Sequence, residues 1–275
     1  MISRLLSLST RDIYGVETII TQDDARMTFR FQRAISDSPG TLSMIIYQPS
    51  EVVEGALRNA QRLSLVAQEE KRVSLFDADS VEVSSHYDNG KRIAVVSAID
   101  GDAFSHAFVS FTLSAGSTLY QLLDACATKG NVTIPIGSYP PSLHDIRLPR
   151  AVIVHGGAMS RIRQIARAVD AACFLQKGIL QIVGTEAPTK VPVILREDAE
   201  LVGTPSKTEY GAEFKTRMLP LSLNELVQLE SSTLNGTYRI ISAAGHGDTK
   251  SGDWLCSYIA IDNNAFGVKN SSVWR

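Results

Sequence analysis

The chain has 275 residues, 27 Lys or Arg against 29 Asp or Glu, and a net charge of −2; 44% of its residues are hydrophobic and 20% charged. That apolar content supplies a packed core and excludes wholesale disorder, while the charge balance excludes a dedicated nucleic-acid binder, which carries a strong basic excess. A lightly charged, near-neutral surface points to association with other chains, and the length sets a prior of about two domains.

Met1 to Thr10 carries one positive charge and few apolar residues ahead of Arg11-Asp12, which makes a poor signal peptide. No apolar run approaches the roughly 18 residues of a membrane helix. The expectation is a soluble chain made in a reducing compartment, with no membrane partner. Met27, Phe29 and Phe31 alternate with Thr28 and Arg30, and Leu42, Met44 and Ile46 repeat that period after the turn Ser36-Asp37-Ser38-Pro39-Gly40. Ser50 to Arg62 reads as a short helix capped by Ser50, with Val53, Leu57 and Ala60 on its inward face. Val81 and Val83 resume the alternation; Ile93, Val95 and Ile99 continue it after the hairpin signal Asn89-Gly90, with Ser97 out of phase.

The middle changes to helical spacing. Leu119, Leu122, Leu123 and Cys126 share a face, with Ser117 placed as N-cap and Gly130 as the stop. After a loop with Pro135, Pro140, Pro141 and Pro149, Ala151 to Val154 reads as a strand, Gly156-Gly157 as a turn, and Met159 to Phe174 as a second helix. The inward stripe of that helix is Ile162, Ile165, Ala166, Val169 and Cys173, with Arg161, Arg163 and Arg167 on the wet side. Ile179 to Val183 is a strand after Gly178. The last third returns to strands at Tyr210–Met218, Leu226–Glu230, Gly236–Ala244 and Trp254–Ile261, with a loop over Gly245–Asp253.

None of the candidate chemistry rises to a site. Gly156-Gly157 lacks the Lys-Ser/Thr of a phosphate loop and the third glycine of a dinucleotide fingerprint, and no G-x-S-x-G accompanies His155. His246 to Asp253 departs from a calcium loop, and His86, His106, His144, His155 and His246 have no zinc-binding spacing. Cys126, Cys173 and Cys256 form no C-x-x-C pair and read as small buried hydrophobes. Arg147, Arg150, Arg161, Arg163 and Arg167 form the densest basic region; without interleaved aromatics they read as a solvated face or as an interface to an acidic partner. No catalytic, cofactor-binding or metal-binding residue is assigned, and no cofactor is expected.

The C-terminal third is more specific. Leu201-Val202-Gly203-Thr204-Pro205 precedes Thr208-Glu209-Tyr210-Gly211-Ala212-Glu213-Phe214 and Met218-Leu219-Pro220. Leu226-Val227-Gln228-Leu229-Glu230-Ser231, Asn235-Gly236-Thr237-Tyr238-Arg239-Ile240, His246-Gly247-Asp248-Thr249 and Gly252-Asp253-Trp254 follow. In order and spacing this run resembles the late-control-D-like tail-hub proteins of phages, which are similar to the base of the type VI secretion spike. Asp100-Gly101-Asp102, Ala115-Gly116-Ser117-Thr118-Leu119 and Phe174-Leu175-Gln176 fit the same template, so the likeness spans about residues 25 to 262. Ala67-Gln68-Glu69, Phe76-Asp77-Ala78 and Leu255 depart from it.

The resemblance implies an α+β, mainly β fold in which two tube-like β-barrel domains, 1–112 and 193–275, flank a small α/β region at 113–192. It implies a homotrimer whose six barrels form a ring joining the tail tube protein to the central spike protein. Tape-measure and baseplate wedge proteins are its further partners, and the genome passes through the lumen without specific binding. The implied role is structural, not enzymatic, and the implied place is the virion, after synthesis in the host cytoplasm. The 246–253 loop is then expected to reach a neighbouring protein. The competing readings are a hexameric tube terminator or distal-tail ring protein, and a tail-associated cell-wall hydrolase.

Overall fold

Period-two alternation governs most of the sequence, and the computed structural model is accordingly mainly β. It describes residues 5–36, 38–68, 72–129, 132–184, 191–250, 252 and 254–262. The chain opens on β1 (Leu5–Asp12) and β2 (Glu17–Thr21), then β3 (Arg26–Ala34) and β4 (Thr41–Tyr47), in which the predicted rows Met27-Phe29-Phe31 and Leu42-Met44-Ile46 are buried. Helix α1 (Glu51–Arg58) starts where Ser50 accepts from Val53 N at 3.3 Å and buries Val53 and Leu57. It ends four residues before the predicted Arg62. Ala60 already begins β5 (Ala60–Gln68), whose period-two row Leu63-Leu65-Ala67 pairs with β1, so ladder formation overrides the helical spacing.

β6 (Arg72–Ala78), β7 (Ser80–Asp88) and β8 (Lys91–Ile99) follow, the last two joined at Asn89 and Gly90, both with positive φ (48° and 76°). In β8 the predicted Ile93 is buried, but beyond it the predicted face is reversed. Ala94, Val96 and Ala98 are the buried row, opposite the bulky Ile46, Met44 and Leu42 of β4, and Val95, Ser97 and Ile99 face outward. Small alanines fill the core here because their partners are large, which a hydrophobicity pattern misses.

α2 (Asp102–Ser105), β9 (Phe108–Leu113) and α3 (Leu119–Thr128) lead into the middle region. Thr118, not Ser117, caps α3: its hydroxyl accepts from Gln121 N at 3.1 Å while Gln121 Oε1 accepts from Thr118 N at 2.9 Å, a reciprocal capping box. The predicted stop at Gly130 lies outside the described residues, as do Asp37, Glu69, Ser251 and Asp253 of other sequence readings. α4 (Ser142–Asp145), β10 (Val152–Gly157) and α5 (Ala158–Arg167) follow. The predicted helix to Phe174 is cut short at Arg167. Asp170 at φ 51° turns the chain, and Cys173 is buried on β11 (Ala172–Gln176), which pairs with β12 (Ile179–Val183).

β13 (Val193–Arg196), β14 (Ser206–Lys207), β15 (Gly211–Arg217), β16 (Leu226–Glu230), β17 (Asn235–Asp248) and β18 (Leu255–Asp262) complete the chain. One ten-stranded sheet runs β14-β15-β18-β17-β3-β4-β8-β7, with β16 on β17 and β13 parallel to β16. A four-stranded sheet, β2-β1-β5-β6, shares one hydrophobic core with it. A second core, from Phe104 to Ile182, holds the ribbons β9–β10 and β11–β12 against α3 and α5. Among the described residues no sheet closes on itself.

Candidate assembly surface

The strand that joins the two ends of the chain is β17. A bulge between Ile240 and Ser242 lets its first part pair with β16 and its second part with β3, from Ser242↔Ala34 to Asp248↔Thr28. Two glycines make this close approach possible. A Cβ on Gly245 would stand 2.4 Å from Phe31 Cε1, and one on Gly247 would stand 2.8 Å from Phe29 Cε1. The Phe29 ring lies edge-on to Trp254, with centroids 5.8 Å apart. The end of β17 is locked to the start of β3. Arg26 grips the Asp248 carboxylate through Nε (3.1 Å) and Nη2 (2.5 Å), which raises the guanidinium pKa further. Thr249 exchanges two bonds with Met27, each 2.9 Å, and Trp254 Nε1 donates to Asp248 O at 2.7 Å.

The loop expected over 246–253 begins only after Asp248, where β17 ends. His246, Gly247 and Asp248 belong to the ladder, and Asp248, Thr249 and Trp254 form an internal clamp between the first and last thirds of the chain.

The outer face of the long sheet crosses that joint without interruption. The strand registers align Arg217, Leu255, His246, Arg30, Ser43, Ser97 and Glu82 in one row, and Lys215, Ser257, Ala244, Gln32, Thr41, Ile99 and Ser80 in the next. None of these residues is buried. Small hydroxyls and scattered charges dominate these two rows, so they are wetted. Among the described residues the path ends in two edge strands, β14 and β7, that pair with no further strand.

The other sequence candidates remain dispersed. All five histidines are exposed, and among the described residues no group of three or more His, Cys, Asp or Glu is placed to hold a metal. Gly156-Gly157, expected as a turn, are instead the last two residues of β10, paired with Val109 and Phe108, and Gly157 leads directly into α5 without a side-chain cap. The three cysteines are buried, and burial pushes the Cys126 and Cys256 thiols up to about 11, far from thiolate reactivity. No helix of the described chain is long and apolar enough to cross a membrane.

Asp100-Gly101-Asp102 turns out to be a tie between layers. The Asp100 carboxylate accepts from Lys177 N (2.6 Å) and Gly178 N (2.9 Å) at the β11–β12 turn, and Asp79 accepts from Asp102 N at 2.9 Å. Gly101, at φ 76°, leaves no room for a side chain, since its Cβ would meet Leu175 at 2.3 Å. Burial pushes the Asp100 carboxyl up to about 6 despite the two N–H donors. Sequence reasoning missed the β17–β3 joint. The only local signal was the Gly-x-Gly of Gly245 and Gly247, matching the Phe-x-Phe of Phe29 and Phe31 in period.

This arrangement, a mainly β chain whose ends share one sheet around an α/β layer, is the fold of phage tail proteins. The chain is similar to a 43 kDa tail protein of prophage MuSo2 from Shewanella oneidensis (TM-score 0.66, 11% identity, 97% of this chain and 98% of that one). It is also similar to a tail protein from Neisseria meningitidis (TM-score 0.64, 8% identity, 95% and 98%). A component of the type VI secretion system, the E. coli c3393 protein, shares the fold as well (TM-score 0.60, 9% identity, 87% and 73%). No curated protein sequence matches the chain significantly. Residues 73–244, more than half of the chain, match the baseplate hub gp41 family, and the chain belongs to that family of phage tail baseplate components.

Proposed function

We propose that the chain is a non-enzymatic hub subunit that forms a homotrimeric ring, with two tube-like modules per copy (1–112 and 193–275) around an α/β layer (113–192). The observation that carries this reading is the β17–β3 pairing, which sets strands from both ends of the chain side by side and leaves only β14 and β7 as edges of the path. Edges left open in a soluble chain invite pairing, and a closed ring satisfies them with the next copy. Three copies of an eight-strand path give a circle of about 115 Å, or roughly 37 Å across, at about 4.8 Å per strand. The polar face then lines a lumen through which the genome passes without specific binding, and the two ends of the ring meet the tail tube protein and the central spike. Tape-measure and baseplate wedge proteins would contact the outside.

Native mass spectrometry of the purified chain over a concentration series tests the stoichiometry. Three copies of 29.9 kDa give about 90 kDa. A species of about 180 kDa would replace this reading with the hexameric ring, and a monomer at every concentration would contradict both.

A further inference from the structure

The α/β layer differs in charge from the rest of the molecule. Residues 108–183 hold seven Lys or Arg against three Asp, a net +4 in a chain whose total is −2. Five arginines and no acid lie between Asp145 and Asp170. The described partners of two of them are uncharged: Arg147 donates to Gly116 O at 2.9 Å, and Arg161 to His155 O at 2.6 Å and Gln164 Oε1 at 2.9 Å. Arg150 is exposed at the start of the ribbon.

The same layer carries an unfinished sheet. β9 and β10 form a ribbon of only two strands; one face covers α3 and α5, and the other exposes Phe108 (57%) and Ile153 (79%), with His155 edge-on to Phe108 at 4.8 Å. The bond from Ala158 N to Ala107 O (2.8 Å) continues the ladder by one pair, so alternate pairs from it are the hydrogen-bonded ones. Phe108, Ser110 and Thr112 therefore turn their N–H and C=O groups away from β10. On the β10 side α5 covers the edge, with Arg161 closing His155 O. On the β9 side no strand pairs among the described residues. Its sequence, Phe-Val-Ser-Phe-Thr-Leu, is uncharged, strongly β-forming and free of proline, the kind of edge that aggregates unless covered. Lys129 Nζ stands 5.4 Å from the ring centre of Phe111 on this strand.

We propose that the free edge of β9 accepts an extended, acidic segment of a partner protein as a third strand. The backbone groups of Phe108, Ser110 and Thr112 supply the main-chain bonds, Phe108 and Ile153 supply apolar contact, and Lys129 with the exposed Arg150 selects negative charge. A phosphodiester backbone would use the cations but neither the open strand edge nor the apolar pair. The inference concerns the outside of the layer and stands whether or not the chain closes into a ring.

The test uses the full chain and three fluorescent probes: a short peptide alternating Glu and Val, its analogue alternating Lys and Val, and a short DNA duplex. Anisotropy should show binding of the Glu peptide only, and hydrogen exchange at the Ser110 and Thr112 amides should slow in its presence. Ser110→Pro removes an outward donor while sparing the ladder to β10, and should weaken binding about tenfold, the loss of one backbone hydrogen bond. Arg150→Glu, on an exposed residue that leaves the fold intact, should weaken it severalfold and restore binding to the Lys peptide. Equal binding of both peptides, no binding of the Glu peptide, unchanged exchange at Ser110 and Thr112, or binding of the duplex at this edge would each overturn the proposal.

Discussion

The joint between β17 and β3 is sensitive to a single methyl group. In Gly245→Ala the new carbon would sit 2.4 Å from Cε1 and 2.5 Å from Cζ of Phe31, a ring that is 1% exposed and has little freedom to move. Relieving that overlap means displacing the ring or separating the strands, and overpacking of this kind destabilises by about 1–3 kcal/mol. Urea and thermal unfolding should therefore show lower stability, with Tm falling by roughly 2–4 °C per kcal/mol. Phe31→Leu removes the two offending ring atoms. The double variant Gly245→Ala/Phe31→Leu should be more stable than the sum of the single effects predicts, with a coupling of about 1–2 kcal/mol. A neutral Gly245→Ala, or strictly additive singles, would refute the claim that ring and glycine share one space across the joint.

Two further variants probe the ties around this sheet. Asp100 has a native pKa of about 6 against an ordinary 3.8, so the fold binds its proton more tightly than the unfolded chain does, and its contribution to stability is full below 3.8 and lost as pH rises through 6. Relative to Asp100→Asn, which cannot titrate, the native protein should gain about 2 kcal/mol between pH 7.5 and 4.5; parallel pH profiles of the two in urea unfolding would refute this. Tyr258→Phe removes the phenol that donates to the Leu219 carbonyl and accepts from Leu221 N at 3.1 Å; these two groups keep their own 3.0 Å bond, so unfolding free energy should fall by about 0.5–1.5 kcal/mol, the net worth of a hydrogen bond. An unchanged value would mean that water replaces the hydroxyl.

Elements with strong periodicity were legible in the sequence. Rows such as Met27-Phe29-Phe31, the Ser50 cap and the Asn89-Gly90 turn follow from local geometry that each residue carries by itself. What failed was decided at longer range. The helix predicted to run to Arg62 yields to pairing of β5 with β1, and the one predicted to reach Phe174 yields to the β11–β12 hairpin. The reversed face of β8 follows from large partners on β4, which an isolated strand cannot reveal. The motif residues Gly247, Asp248 and Trp254 were visible as a pattern, yet their role as a clamp depends on Arg26, Phe29 and Met27, more than 200 positions away. A candidate site was never legible as a cluster, because the proposed functional surface is a face assembled from single residues of many strands.

The central claim is that this chain builds a ring from an eight-strand path that is open at β14 and at β7. Electron-microscopic class averages of the purified oligomer test it most directly. The account predicts a closed ring of three copies with six similar lobes around a lumen, its sheet wall roughly 37 Å across. An open chain of subunits, a compact particle without a lumen, or six copies in the ring would contradict it.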